Sequence, residues 1–189
     1  MRDGDATLRR MNNSDAEIAR EAVLRTFRWV NGDASFTPVF MDADALRALG
    51  PGLVEPFRQE GITTVVSPEA RGFIVGALCA TTLGVGFLAA RKAGFPRPED
   101  RIRVESQPDW RGRRVELTLA RVLTPGDRVL LVDDWIETGS QATAIADAIT
   151  QMGSTLAGMA VIVDQAPDHI RHALNVVGLL RRDELPPGG

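Results

Sequence analysis

From residue 61 onward the apolar positions switch repeatedly between two spacings. Short apolar runs at Thr63 to Val66, Gly86 to Ala90, Val115 to Ala120, Val129 to Val132, Met159 to Val163 and Asn175 to Leu180 predict strands. Helical spacing over Ala70 to Leu83, and again from about Gln141 to Met152, predicts helices between them. Strand and helix in alternation make an α/β domain with a mainly parallel sheet, Asn175 to Leu180 lying at its edge. The turn Thr124, Pro125, Gly126, Asp127 separates two of the strands. Upstream, Ser14 followed by Glu17 is a capping box opening an amphipathic helix to about Phe27, and Asp44 can cap another reaching about Gln59. The expected organisation is therefore an N-terminal helical part, 1–60, a core, 61–183, and a disordered tail, 184–189, with Pro and Gly from Pro186 to Gly189. Within the core, 96–114 is rich in Pro, Arg and Asp and lacks clear periodicity. It is longer than an ordinary connection, which favours a functional or mobile segment.

Composition narrows the class. A chain of 189 residues, 44% hydrophobic and 25% charged, fits one globular domain. The net charge of -3 argues against nucleic acid as a partner. No apolar run approaches bilayer-spanning length and Met1 to Arg20 is polar, so neither a membrane helix nor a signal peptide is expected, and a cytoplasmic location is. Cys79 is the one cysteine and sits in an apolar stretch, which reads as a buried small residue. His169 and His172, three apart on a short helix, lack partners at a recognisable metal spacing and read as surface residues.

Chemistry concentrates in Arg128 to Ala144. A buried strand, Val129 to Val132, runs into Asp133 and Asp134, the position where open α/β sheets bind ligands. Thr138, Gly139 and Ser140 follow, then Gln141 in the first turn of a helix whose free NH groups make an anion site. Diol-binding carboxylates beside a phosphate cradle describe a pocket for a ribose 5-phosphate. Two other readings apply to the aspartates: a simple helix cap, or the Mg²⁺ site of a response-regulator receiver domain. In the latter the paired acids belong near the start of the domain, and here they lie past its middle.

These residues resemble the fingerprint of the type I phosphoribosyltransferases, which use 5-phosphoribosyl 1-pyrophosphate (PRPP). A second segment, Glu69 to Gly94, is similar to the adenine branch in its Arg-Gly-Phe, Leu-Gly-Val-Gly-Phe and Arg-Lys-x-Gly runs. The resemblance implies the type I fold, a twisted mainly parallel sheet flanked by helices with a small N-terminal hood over the base. It further implies Mg²⁺ as cofactor, a nucleobase such as adenine as second substrate, and a homodimer. In PRPP binding it implicates Asp133, Asp134, Thr138, Gly139, Ser140, Gln141, Glu69, Ala70, Arg91 and Lys92, with a strained peptide just before Arg71. Arg71 and Glu137 become the catalytic candidates: Glu137 stands where the adenine branch usually has Ala and the hypoxanthine-guanine branch has an Asp directed at the purine. Trp135 and Phe40, the latter in the hood stretch Trp29 to Phe40, are candidates for the base. No protein residue is expected to form a metal site of its own. The segment 96–114, with Arg101, Arg103, Arg111, Arg113 and Arg114, would be the lid over PRPP. Departures are Gln141, where Thr or Ser is usual, and Phe95, where a second Lys is common. Both would suit a PRPP-sensing regulator that keeps the pocket without catalysis, and a plain nucleotide-binding module is a third reading.

Overall fold

A computed structural model describes residues 14–92, 100–108 and 112–187. Phe95, Arg111, Gly188 and Gly189 lie outside them, as do parts of the expected lid and residues 1–13.

The chain opens with α1 (Asp15–Thr26), and its capping box is formed as expected: Ser14 Oγ accepts from the Glu17 amide while the Glu17 carboxylate accepts from the Ser14 amide. A hairpin of β1 (Arg28–Val30) and β2 (Asp33–Ser35) leads into α2 (Thr37–Met41) and α3 (Ala43–Val54). The cap of α3 is Asp42 rather than Asp44, because Asp42 has the extended backbone a cap needs and its carboxylate accepts the Ala45 amide at 2.8 Å. The helix stops at Val54 instead of near Gln59, passing into a short 3-10 turn, Glu55–Phe57.

The core alternates β3 (Thr64–Pro68), α4 (Arg71–Leu83), β4 (Gly86–Lys92), β5 (Arg101–Glu105), β6 (Glu116–Ala120), β7 (Arg128–Ile136), α5 (Ser140–Gln151), β8 (Thr155–Asp164), α6 (Asp168–Ala173) and β9 (Val176–Arg181). Seven of these strands form one sheet in the order β5-β6-β4-β3-β7-β8-β9. From β4 to β9 the neighbours are parallel, whereas β6 runs antiparallel to both β4 and β5. This is the expected mainly parallel α/β sheet, and β9 is its edge. Apolar runs arise because both faces are covered: Leu130 and Val132 of β7 join one core with α1, α3 and α4, while Val129 and Leu131 join a second core with α5.

Three expectations change. β7 continues four residues beyond Val132, since its pairing with β8 persists to Ile136 opposite Asp164, so the aspartates sit inside the strand's last turn of residues rather than after it. Part of 96–114 is regular: Arg101–Glu105 forms an edge strand with Ile102 buried at 3% exposure, the alternation being masked by arginines on the open face. Deleting Arg101 to Arg111 would thus strip Ile102 from the core as well as remove cationic residues. The tail is held through Pro186, with Leu185 buried and the Pro186 carbonyl accepting from Trp29 Nε1 at 2.7 Å, which contradicts disorder from residue 184.

Cys79 is buried, and burial pushes its thiol up to about 12, as suits a structural residue. Close packing of α4 on the sheet depends on Gly76, where a Cβ would run into Ser67 Oγ and lie 2.8 Å from Phe87 Cε2. Ser67 is fully buried and its hydroxyl donates to the Val132 carbonyl at 2.7 Å, so it has little freedom to yield. Gly76→Ala is expected to cost about 1–3 kcal/mol by overpacking, read as a lowered thermal midpoint.

Candidate active site

At the carboxyl ends of β3 and β7 the chain forms a cavity of about 380 Å³. Its floor is the loop Glu137 to Gln141 leading into α5; Arg71, Asp134, Trp135 and Ile136 form one side, and Ser106, Arg113 and Val115 of the β5–β6 hairpin the other. Gly139 takes φ 75°, a left-handed backbone that glycine adopts without steric cost, and this turns the chain into the helix. Thr138 Oγ1 and Ser140 Oγ lie 2.8 Å apart, and the Ser140 amide donates to Thr138 Oγ1 at 3.3 Å. The cap residue Gly139 has no side chain to engage the start of α5, so apart from the Ser140 amide its first NH groups can meet an anion. Gln141 lines the cavity with the rest of the loop.

The two aspartates part company. Asp134 is 5% exposed and lines the cavity; Arg71 Nε approaches its Oδ2 at 2.9 Å. That approach is an ion pair by distance only, for it lacks hydrogen-bond alignment, and Oδ2 is left buried without a donor. Asp133 is not among the lining residues; its Oδ1 turns under α4, accepting the Asp134 amide at 2.9 Å and lying against Gly72. Loss of surrounding water raises both carboxyls above their ordinary 3.8, and the charge of Asp134 lifts Asp133 well above it, while Arg71 opposes the shift on each. A carboxyl whose folded value is raised favours the fold while protonated, and that contribution is lost as pH rises through the folded value. Asp133→Asn is therefore expected to raise the thermal midpoint of the ligand-free protein at pH 7, the gain vanishing below about pH 4, where the aspartic acid is neutral as well.

A second cluster lies beyond Arg71. The Glu69 carboxylate accepts the Lys92 amide at 3.1 Å and stands 3.8 Å from Arg91 Nη2, so Glu69, Arg91 and Lys92 meet where β3 and β4 end. Ala70 is exposed and precedes the first turn of α4, and the Glu69–Ala70 peptide is cis. Arg71 itself joins three parts, reaching the Ala34 carbonyl of the hairpin at 3.4 Å and the Phe36 ring at 5.3 Å as well as Asp134.

The N-terminal hairpin and α2 bring Phe36 against Trp135 at 6.3 Å, and Phe27 and Trp29 complete an aromatic cluster. Trp135 lines the cavity. Phe40 does not; it stacks on Phe36 at 6.0 Å, away from the cavity lining. Glu137 is exposed at the cavity floor. Sequence reading missed Ser106 and Val115 as cavity walls, and also Gln165, whose Oε1 accepts Trp135 Nε1 at 3.1 Å. His169 and His172 are exposed on α6, and among the described residues no group of three or more His, Cys, Asp or Glu could hold a metal ion. No described helix is long and apolar enough to cross a membrane.

The adenine phosphoribosyltransferase of Methylococcus capsulatus is 40% identical over 139 residues, which covers 74% of this chain and 80% of the relative. The chain belongs to the adenine phosphoribosyltransferase family. A second member, from Streptomyces coelicolor, is 40% identical over 128 residues, 68% of this chain and 69% of its own. Among solved adenine phosphoribosyltransferases, that of Rhodothermus marinus superimposes with a TM-score of 0.74 at 30% identity, covering 86% of this chain and 98% of that one. The enzyme of Saccharomyces cerevisiae, solved with an imino-altritol bisphosphate and adenine, gives 0.73 at 28% identity over 87% and 99% of the two chains. The family's fold is thus the type I sheet with its small N-terminal hairpin. No protein-family model matches the chain.

Proposed function

We propose that this protein transfers the 5-phosphoribosyl group of PRPP to a purine, adenine first among them, with release of pyrophosphate. The observation that carries the reading is Asp134, buried and lining the same cavity as the Thr138 to Gln141 loop, with its Oδ2 held by an Arg71 ion pair but by no aligned hydrogen bond. A ribose hydroxyl supplies that bond while the 5-phosphate occupies the loop, and a charged acceptor makes each such bond worth about 1.5–3 kcal/mol.

In the proposed chemistry a purine ring nitrogen attacks C1 of the ribose, the C1–O bond to pyrophosphate breaks, and the nitrogen's proton passes to the Glu137 carboxylate. Arg71, Arg91 and Lys92 hold the leaving pyrophosphate, two forked guanidiniums and a compact ammonium being suited to its oxygens. Trp135 and the hood aromatics cover the base. The Arg-bearing hairpin around Arg113 closes over the oxocarbenium-like ribose and keeps water from capturing it.

Mg²⁺ enters with PRPP. One or two carboxylates together with phosphate oxygens are the donor set this ion prefers; of the two aspartates only Asp134 lines the cavity, so it would hold the ion alongside PRPP oxygens, while Asp133 faces Gly72. When bound, it neutralises charge on the departing pyrophosphate. A cytoplasmic homodimer completes the proposal. The relatives bear the transferase name, which leaves the sensing alternative without support.

The test is pyrophosphate release from PRPP and Mg²⁺ across a panel of bases. Release that depends on the added purine supports the transferase. PRPP binding without turnover on any base would return the sensor.

A further inference from the structure

Behind the phosphate loop stands a segment that the reaction does not touch. β8 ends in Asp164, 3% exposed, whose Oδ1 accepts the Ala166 amide at 2.8 Å. Its Oδ2 accepts Arg171 Nε and Arg181 Nη1, each at 2.7 Å, and Arg171 also donates to the Ala166 carbonyl and to Asp168. Charge-assisted bonds of this kind are about twice as strong as neutral ones. They pin α6 to the ends of β8 and β9. One residue before Arg171, Ile170 is half-buried and packed on the second core, and its Cγ2 lies so close to Gly139 that a Cβ on that glycine would overlap it. The loop therefore has protein directly behind it where it turns toward the cavity.

Resting on the proposed function, we infer that Ile170 is a positioning residue for the 5-phosphate: the Asp164–Arg171 pair sets α6, and Ile170 pressed on Gly139 holds the amides of Thr138 to Gln141 in their binding arrangement before the ligand arrives. Such preorganisation spares the ligand the cost of ordering the loop. Its removal acts on phosphate affinity and leaves the pyrophosphate and base subsites alone, because Glu69, Arg91, Lys92 and Trp135 make no part of this contact.

The full-length protein and two variants separate the outcomes. Ile170→Ala removes both γ carbons, whereas Ile170→Val keeps them. For Ile170→Ala, the Kd of ribose 5-phosphate by calorimetry and the KM of PRPP are expected to rise about five- to tenfold, with kcat, the KM of adenine and the Kd of inorganic pyrophosphate within about twofold of wild type. Ile170→Val restores the wild-type constants. Unchanged ribose 5-phosphate binding in Ile170→Ala overturns the inference, and so does a parallel shift of every constant, which marks a general structural role. Failure of the wild-type protein to bind ribose 5-phosphate would instead overturn the PRPP reading of the cavity itself.

Discussion

Glu137→Gln is expected to lower kcat by about a hundredfold or more while leaving PRPP affinity within a few-fold, the range in which a positioned acid or base acts. The substitution keeps the size of the side chain and removes its ability to take a proton. Glu137 stands at the cavity floor between Ile136 and Thr138, close enough to the loop that its charge would oppose a bound phosphate if it faced that way. In the proposed reaction it faces the base, where an acceptor for the ring-nitrogen proton is needed. Steady-state kinetics with adenine as acceptor checks the split. A variant with full turnover removes Glu137 from the chemistry, and one with improved PRPP binding and unchanged turnover identifies it as a loop residue that merely repels the phosphate.

Asp134→Ala is expected to reduce kcat/KM for PRPP by about ten- to a hundred-and-fifty-fold, the loss of one charge-assisted hydroxyl bond at about 1.5–3 kcal/mol. A second effect accompanies it. Arg71 Nε, 2.9 Å from Asp134 in the ligand-free protein, loses its partner, and the link from the ribose carboxylate through Arg71 to the Ala34 carbonyl and Phe36 ring of the hood is cut. Because Arg71 also serves pyrophosphate in the proposed reaction, the Kd of pyrophosphate separates the two consequences. It tightens if the Asp134 pair competes with pyrophosphate for the guanidinium, and weakens if Asp134 serves to orient it.

How much of this was legible in the sequence depends on the range of the interaction. Local signals were reliable: the Ser14–Glu17 capping box, the apolar run of β7 and the Thr138–Gly139–Ser140 loop are each fixed by a few neighbouring residues. The expected cap Asp44 gave way to Asp42 because a side chain two residues away can accept an amide equally well and only the backbone conformation, extended at Asp42, decides which one caps. β5 escaped notice because its alternating Ile102 and Val104 are embedded among arginines, and only pairing with β6 buries Ile102. The cavity wall from Ser106, Arg113 and Val115 is a tertiary event, produced by folding that hairpin toward a loop more than twenty residues further along. Phe40 and Phe36 are alike as residue types, and packing alone places Phe36 against Trp135 and Phe40 behind it. The separation of Asp133 from Asp134 has the same origin: neighbouring residues on a strand point to opposite sides, so one carboxylate meets the cavity and the other Gly72.

The most direct measurement is a crystal structure of the protein with PRPP and Mg²⁺. The account predicts 5-phosphate oxygens within hydrogen-bond distance of the Thr138 to Gln141 amides and a ribose hydroxyl donating to Asp134 Oδ2. PRPP bound elsewhere, or a ribose with no contact to Asp134, would contradict it.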